Sequence, residues 1–134
     1  DAQIMMFNLQ DKLVMKEYLS AKLYYDLGTY TGNSSMTADG QINGNNFQAC
    51  ITTAQNILKD YPYTSMREDI SILLLRAKHK LGSESVLDKK EERMRETIDE
   101  YYAFKNEFPE SKYMKEVETI YKDASKYVKE LNEE

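Results

Sequence analysis

One pattern governs how this chain can fold: a turn that occurs twice. Asp60-Tyr61-Pro62-Tyr63-Thr64-Ser65-Met66 returns in type as Glu107-Phe108-Pro109-Glu110-Ser111-Lys112-Tyr113, at an offset of 47 residues (109 − 62). The offset holds beyond the turn. Phe47 falls on Met94, Cys50 on Thr97, Ile51 on Ile98, Ile57 on Phe104, Ile70 on Val117, Leu73 on Ile120 and Ala77 on Ala124. A repeat of this length marks a supersecondary unit that buries its apolar face by stacking on its neighbours. Pro62 and Pro109 cannot continue the helices before them and push Tyr61 and Phe108 out of the helical region. Thr64 and Ser111 then stand where a hydroxyl can accept from the first free N–H groups of the next helix. The aromatic before each Pro is expected to plug the gap between paired helices. The unit is helix, acidic-aromatic-Pro turn, helix.

Apolar spacing predicts five helices, over about 8–27, 47–60, 65–81, 86–108 and 112–131. In the first, Leu9, Leu13, Lys16, Ser20, Tyr24 and Leu27 share one side, with Val14, Ala21 and Tyr25 beside it. Gly28 and Gly82 are read as helix stops, and Asn45 with Gln48 as a capping box. Ile72 and Leu75 widen the apolar face of the third helix, as expected for a helix sandwiched on both sides. The start of the fourth, Asp88 to Arg93, is almost wholly charged and expected in water. The fifth has the cleanest stripe, from Tyr113 through Val117, Ile120 and Ala124 to Leu131. The stretch 29–46, rich in Gly, Asn, Ser and Thr, is predicted as a long loop, and disorder is its plainer reading. The expectation is a single all-α domain over 1–134: a right-handed helical-hairpin solenoid of about two and a half repeats.

Composition narrows the chemistry. Five Gly and two Pro in 134 residues are too few for the many tight turns of a sandwich or barrel. The longest apolar run, Ile72 to Leu75, is far short of the ~20 residues of a membrane span. A net charge of −5 argues against nucleic acid as partner. The single Cys rules out an internal disulfide and a Cys-based zinc cluster. Cys50 takes a small-residue slot in the repeat and reads as buried and inert. His79, between Lys78 and Lys80, reads as a surface side chain. Asp39 stands alone in its loop, too little charge for calcium. Neither a phosphate loop nor a hydrolase or zincin motif occurs. No enzyme activity and no cofactor are expected. The opening Asp1-Ala2-Gln3 is neither a start Met nor a signal segment, and the chain reads as an excised mature fragment.

Paired helices with a small residue midway and Pro at the joint resemble the tetratricopeptide repeat. The likeness is specific in Asn46-Phe47-Gln48-Ala49-Cys50-Ile51, which returns as Arg93-Met94-Arg95-Glu96-Thr97-Ile98. The joints Tyr61-Pro62-Tyr63-Thr64 and Phe108-Pro109-Glu110-Ser111-Lys112-Tyr113 are similar to those of one branch, the BamD-type outer-membrane assembly lipoproteins. Ala21 to Gly28 and Thr97 to Phe104 extend the similarity, which covers nearly the whole chain and matches the family's C-terminal half. Two features depart from the family: the insertion between Gly32 and Asn46 is long, and there is no N-terminal Cys for acylation. The resemblance implies a non-enzymatic periplasmic scaffold on the inner face of the outer membrane of a Gram-negative bacterium. It also implies its partners: a BamA-like barrel subunit, the other subunits of the β-barrel assembly machine, and unfolded outer-membrane proteins. A membrane would be reached only through a lipid anchor absent from this chain. The rival readings are another tetratricopeptide adaptor, binding peptide tails in a concave groove, and an all-α enzyme or carbohydrate-binding domain.

Two sets of residues are candidates for partner contact. Lys89, Lys90, Arg93 and Arg95 could dock an acidic surface, although the interleaved Asp88, Glu91, Glu92 and Glu96 favour solvated i,i+4 pairs. Tyr24, Tyr101 and Tyr121 fall on core stripes. Tyr25, Tyr102 and Tyr127 flank those stripes and could present a ring with a hydroxyl to a partner.

Overall fold

A computed structural model describes the backbone of residues 2–31, 35–36, 42–43, 46–85 and 87–132, and the side chains of residues 9–29, 46–85 and 89–128. The fold is all-α and built of helical hairpins. Its helices are α1 (Ala2–Thr31), α2 (Asn46–Asp60), α3 (Arg67–Ser83), α4 (Leu87–Glu107) and α5 (Met114–Asn132). A minimal antiparallel ladder lies within the predicted loop. There β1 (Ser35–Met36) pairs with β2 (Ile42–Asn43) in the register Ser35 to Asn43 and Met36 to Ile42. The proposed capping Asn45, Asp39 and the start of the predicted fourth helix at Val86 lie outside the described residues.

The chain divides into two compact units, residues 1–74 and 75–134, with the first half of α3 in one and the second half in the other. In the first unit α1 packs on α2. Phe47, Cys50, Ile51, Ala54 and Ile57 form the buried stripe of α2, and Val14 and Ala21 are the buried apolar side chains among the described residues of α1. In the second unit α4 packs on α5, burying Met94, Thr97, Tyr101 and Phe104 from one helix and Val117, Ile120 and Ala124 from the other. Buried residue answers buried residue at the repeat offset, Cys50 by Thr97 included, except that the buried Ile51 is answered by the half-buried Ile98. The Thr97 hydroxyl tolerates that slot because it donates to the Arg93 carbonyl at 2.9 Å. In α3 every residue from Ile70 to Leu75 is buried, as the widened apolar face predicts.

The two turns are one turn. Tyr61 N–H donates to Ile57 O (2.8 Å), Thr64 N–H to Tyr61 O, Arg67 N–H to Thr64 O and Ile70 N–H to Met66 O. Forty-seven residues on, Phe108 N–H donates to Phe104 O (2.8 Å), Ser111 N–H to Phe108 O, Met114 N–H to Ser111 O and Val117 N–H to Tyr113 O. The hydroxyls match as well: Thr64 Oγ1 accepts from Met66 N–H at 3.2 Å, and Ser111 Oγ from Tyr113 N–H at 3.1 Å. Tyr61 and Phe108 are half-buried, and the Phe108 ring lies 5.3 Å from that of Phe104 one turn back. The helix after each turn therefore starts two residues later than predicted, because Thr64 to Met66 and Ser111 to Tyr113 are spent on the turn.

Three sequence expectations need correction. Helix α1 is longer than predicted at both ends, and Gly28 lies inside it rather than stopping it. Its role is steric: a Cβ there would lie 2.7 Å from the Phe47 ring, so only Gly lets that ring lie on the helix backbone. Gly82 likewise falls inside α3, where a Cβ would meet the Met94 sulfur at 3.2 Å. The third concerns which side of α1 is buried. Val14, Ala21 and Gly28 are buried, with Tyr18 and Tyr25 half-buried between them, whereas the Leu9–Leu13–Tyr24–Leu27 side is exposed. Apolar residues surround α1, so periodicity alone could not choose the packed side.

Candidate interaction surface

The surface with most chemical character lies on α4 and α5. Tyr101 and Tyr102 are adjacent on α4, and Tyr121 sits on the facing side of α5. The Tyr101 and Tyr121 rings stack with centroids 4.4 Å apart, while Tyr102 meets both edge-on, at 5.1 Å from Tyr101 and 5.8 Å from Tyr121. Such offset and T-shaped pairs are the favoured aromatic geometries. Tyr101 is only 2% exposed and Tyr102 48%, so the cluster grades from core to surface. The hydroxyls extend the order. Tyr101 donates to Glu118 Oε1 at 2.9 Å, Lys105 Nζ donates to the Tyr101 oxygen at 3.4 Å, and Tyr102 donates to the Tyr121 oxygen at 3.3 Å.

Burial pushes the Tyr101 phenol above its usual range, and its donation to Glu118 adds to that. The hydroxyl bond to Tyr121 raises Tyr102, and the bond to Tyr101 is the largest cause raising Lys105. All three groups keep their protons at neutral pH. The patch thus offers an ordered aromatic edge with a cation and a carboxylate hydrogen-bonded beside it, which lowers the entropic cost of binding a protein surface.

The predicted contact residues disperse. Tyr102 is the exposed edge of the patch. Tyr25 is half-buried and lies edge-on to Phe47 at 5.7 Å, a packing contact in the first unit. Tyr127 is half-buried with Lys90 Nζ 4.3 Å from its ring centre, a cation–π pair joining α5 to α4. Arg93 donates to Ser85 Oγ, and Arg95 pairs with Glu91 at 2.6 Å in an i,i+4 bridge. Among the described residues Arg95 is the one of the four cations in an ion pair, while Lys90 lies over a ring and Arg93 bonds a neutral hydroxyl. The basic cluster is therefore engaged largely within its own unit. Tyr24, expected in the core, is 38% exposed, and Tyr121 is half-buried.

Other groups are placed by contacts that no local pattern could reveal. His79, expected at the surface, is half-buried, and its Nε2 lies 2.6 Å from Asp123 on α5. Arg76 holds Glu116 by two 2.6 Å bonds, and Lys78 donates to Glu100 at 3.0 Å. Three polar residues of α3 thus tie it to α4 and α5 within the second unit. Their partners are 22 to 44 residues away in sequence. In the first unit an open cleft of about 320 Å³ is lined by Gln10 and Asp11 of α1 and by Asp60 to Thr64, beside the 97%-exposed Tyr63. Its two carboxylates face water. Cys50 is fully buried, and desolvation first, then the nearby Asp26, push its thiol up to about 12. It is therefore protonated and unreactive at neutral pH. Among the described residues no group of three His, Cys, Asp or Glu side chains could hold a metal ion. No described helix is long and apolar enough to cross a membrane.

No protein-family model matches the chain, and no curated protein matches it.

Proposed function

We propose that this chain is a non-enzymatic periplasmic scaffold of the β-barrel outer-membrane assembly machine, docking the barrel subunit and other subunits. One observation carries the reading. The aromatic-Pro-x-Thr/Ser joint on which the family resemblance rests is a defined turn, formed twice with the same five hydrogen bonds. A sequence likeness confined to composition would not reproduce that geometry at both positions. The mechanism is geometric: ordered helical hairpins hold partner-facing side chains at fixed positions, so binding avoids the cost of ordering them. The Tyr102 edge of the α4–α5 patch is the docking point the geometry favours, because exposed, preordered tyrosines serve as interface anchors.

Affinity capture from outer-membrane extract of the source bacterium, with the chain immobilised, tests the reading. Enrichment of a large barrel protein bearing periplasmic repeats is expected, and the loss of that enrichment in Tyr102→Ala would locate the contact. Recovery of soluble peptides alone would overturn the scaffold in favour of a peptide-tail adaptor.

A further inference from the structure

The exposed side of α1 carries a pattern of its own. Leu9, Leu13, Lys16, Ser20, Leu23 and Leu27 recur at alternating spacings of four and three, the seam of a coiled coil over two and a half heptads. The four leucines are 39–59% exposed and Leu19, beside the seam, is 55% exposed. These five expose on the order of 450 Å² per copy. A pair would therefore cover roughly 900 Å² from leucines alone, close to the ~1,000 Å² of a specific interface before the Lys, Ser and Tyr24 stems are added.

The seam is also a palindrome about Tyr18. Laid antiparallel on a second copy, Leu9 meets Leu27, Leu13 meets Leu23 and Lys16 meets Ser20, each layer occurring twice by symmetry. At the flanks Lys12 of one copy faces Asp26 of the other and the two Leu19 face each other. The two Glu17 also face each other near the two-fold axis, with both Lys16 beside them. A parallel pair would instead stack Lys16 on Lys16 inside the seam. A polar residue at one seam position sets orientation and register in this way. From this self-complementarity we infer that the exposed leucine face of α1 is a homodimer interface, in which two copies of the chain pair through antiparallel α1 helices. The contact is isologous and therefore closed: it makes dimers, not filaments.

Sedimentation equilibrium on the 134-residue chain tests this, with cysteine cross-linking to fix the register. A concentration-dependent dimer is expected, weakened more than about tenfold by Leu13→Glu with Leu23→Glu at unchanged helicity, because each charge would enter an apolar layer. Under mild oxidation Leu13→Cys should cross-link to Leu23→Cys when the two variants are mixed, and neither should cross-link to itself. Residues 13 of the two copies would lie roughly 15 Å apart in this register, whereas Leu19→Cys should self-link. A monomer at all soluble concentrations, a dimer indifferent to the glutamates, or self-linking by Leu13→Cys would each overturn the inference.

Discussion

Gly28 and Gly82 make the sharpest prediction, because the same substitution should have opposite signs at the two positions. Both lie inside helices, where Ala is favoured over Gly by about 1 kcal/mol. At Gly82 the new methyl would meet the Met94 sulfur at 3.2 Å and its terminal carbon at 3.4 Å. That thioether can shift by a few tenths of an ångström, so Gly82→Ala should be neutral or stabilising by up to about 1 kcal/mol. At Gly28 the methyl would fall 2.7, 2.9 and 3.0 Å from three carbons of the Phe47 ring. That ring is fully buried and braced edge-on by Tyr25, so it cannot swing clear.

Overpacking of this kind costs about 1–3 kcal/mol. Set against the helix gain, Gly28→Ala should destabilise by up to about 2 kcal/mol. Urea unfolding followed by circular dichroism would show the midpoint falling for one variant and holding or rising for the other, with unchanged slope. A double-mutant cycle with Phe47→Leu isolates the cause. The smaller side chain should relieve the clash and give a coupling of at least ~1 kcal/mol between the two sites. If Gly28→Ala raises the midpoint as Gly82→Ala does, or if the cycle shows no coupling, then Phe47 does not lie on α1 as described.

Three further outcomes follow from the same contacts. Thr64→Ala and Ser111→Ala should each cost about 0.5–1 kcal/mol by urea unfolding, and similar amounts, since each removes the same hydroxyl acceptor from the same turn. Cys50 should resist iodoacetamide at pH 8 until the chain unfolds. Because its folded pKa is raised, the folded state keeps a proton that the unfolded state releases, so stability should fall by up to about 1.4 kcal/mol per pH unit between pH 9 and about 12. Glu116→Gln should cost less than about 1 kcal/mol, measured as a urea midpoint shift that shrinks at high salt, because the Arg76–Glu116 pair is bidentate yet partly exposed.

Much of the hairpin architecture was legible because its signals are local. Proline ends a helix wherever it falls, a hydroxyl three residues before a helix accepts from the nearest amides, and α5 alternates apolar and polar faces cleanly. The apolar matches at the repeat offset came out buried together where the helices carry one-sided stripes, apart from Ile98, which is half-buried where Ile51 is buried. Failures came where a signal was symmetric or distant. Helix α1 has leucines and tyrosines on all sides, so nothing within it says which side meets α2. Gly28 looked like a stop because a glycine near a helix end and a glycine under an aromatic ring read alike in sequence. His79 looked solvated because the two lysines beside it hide a partner, Asp123, that arrives from another helix. Of the candidate contact residues, the exposure of Tyr102 was legible from its place beside a core stripe. Tyr121, Lys105 and Glu118, which hold that patch in order, enter only when α4 and α5 are paired.

Backbone amide exchange measured by NMR, residue by residue across both turns, bears most directly on the claim that the chain is built from one repeated unit. Protection is expected at Tyr61, Thr64, Arg67 and Ile70 and, in the same order of strength, at Phe108, Ser111, Met114 and Val117, with Tyr63 and Glu110 exchanging freely. Different protection at equivalent positions, or helical protection running unbroken through either proline, would contradict it.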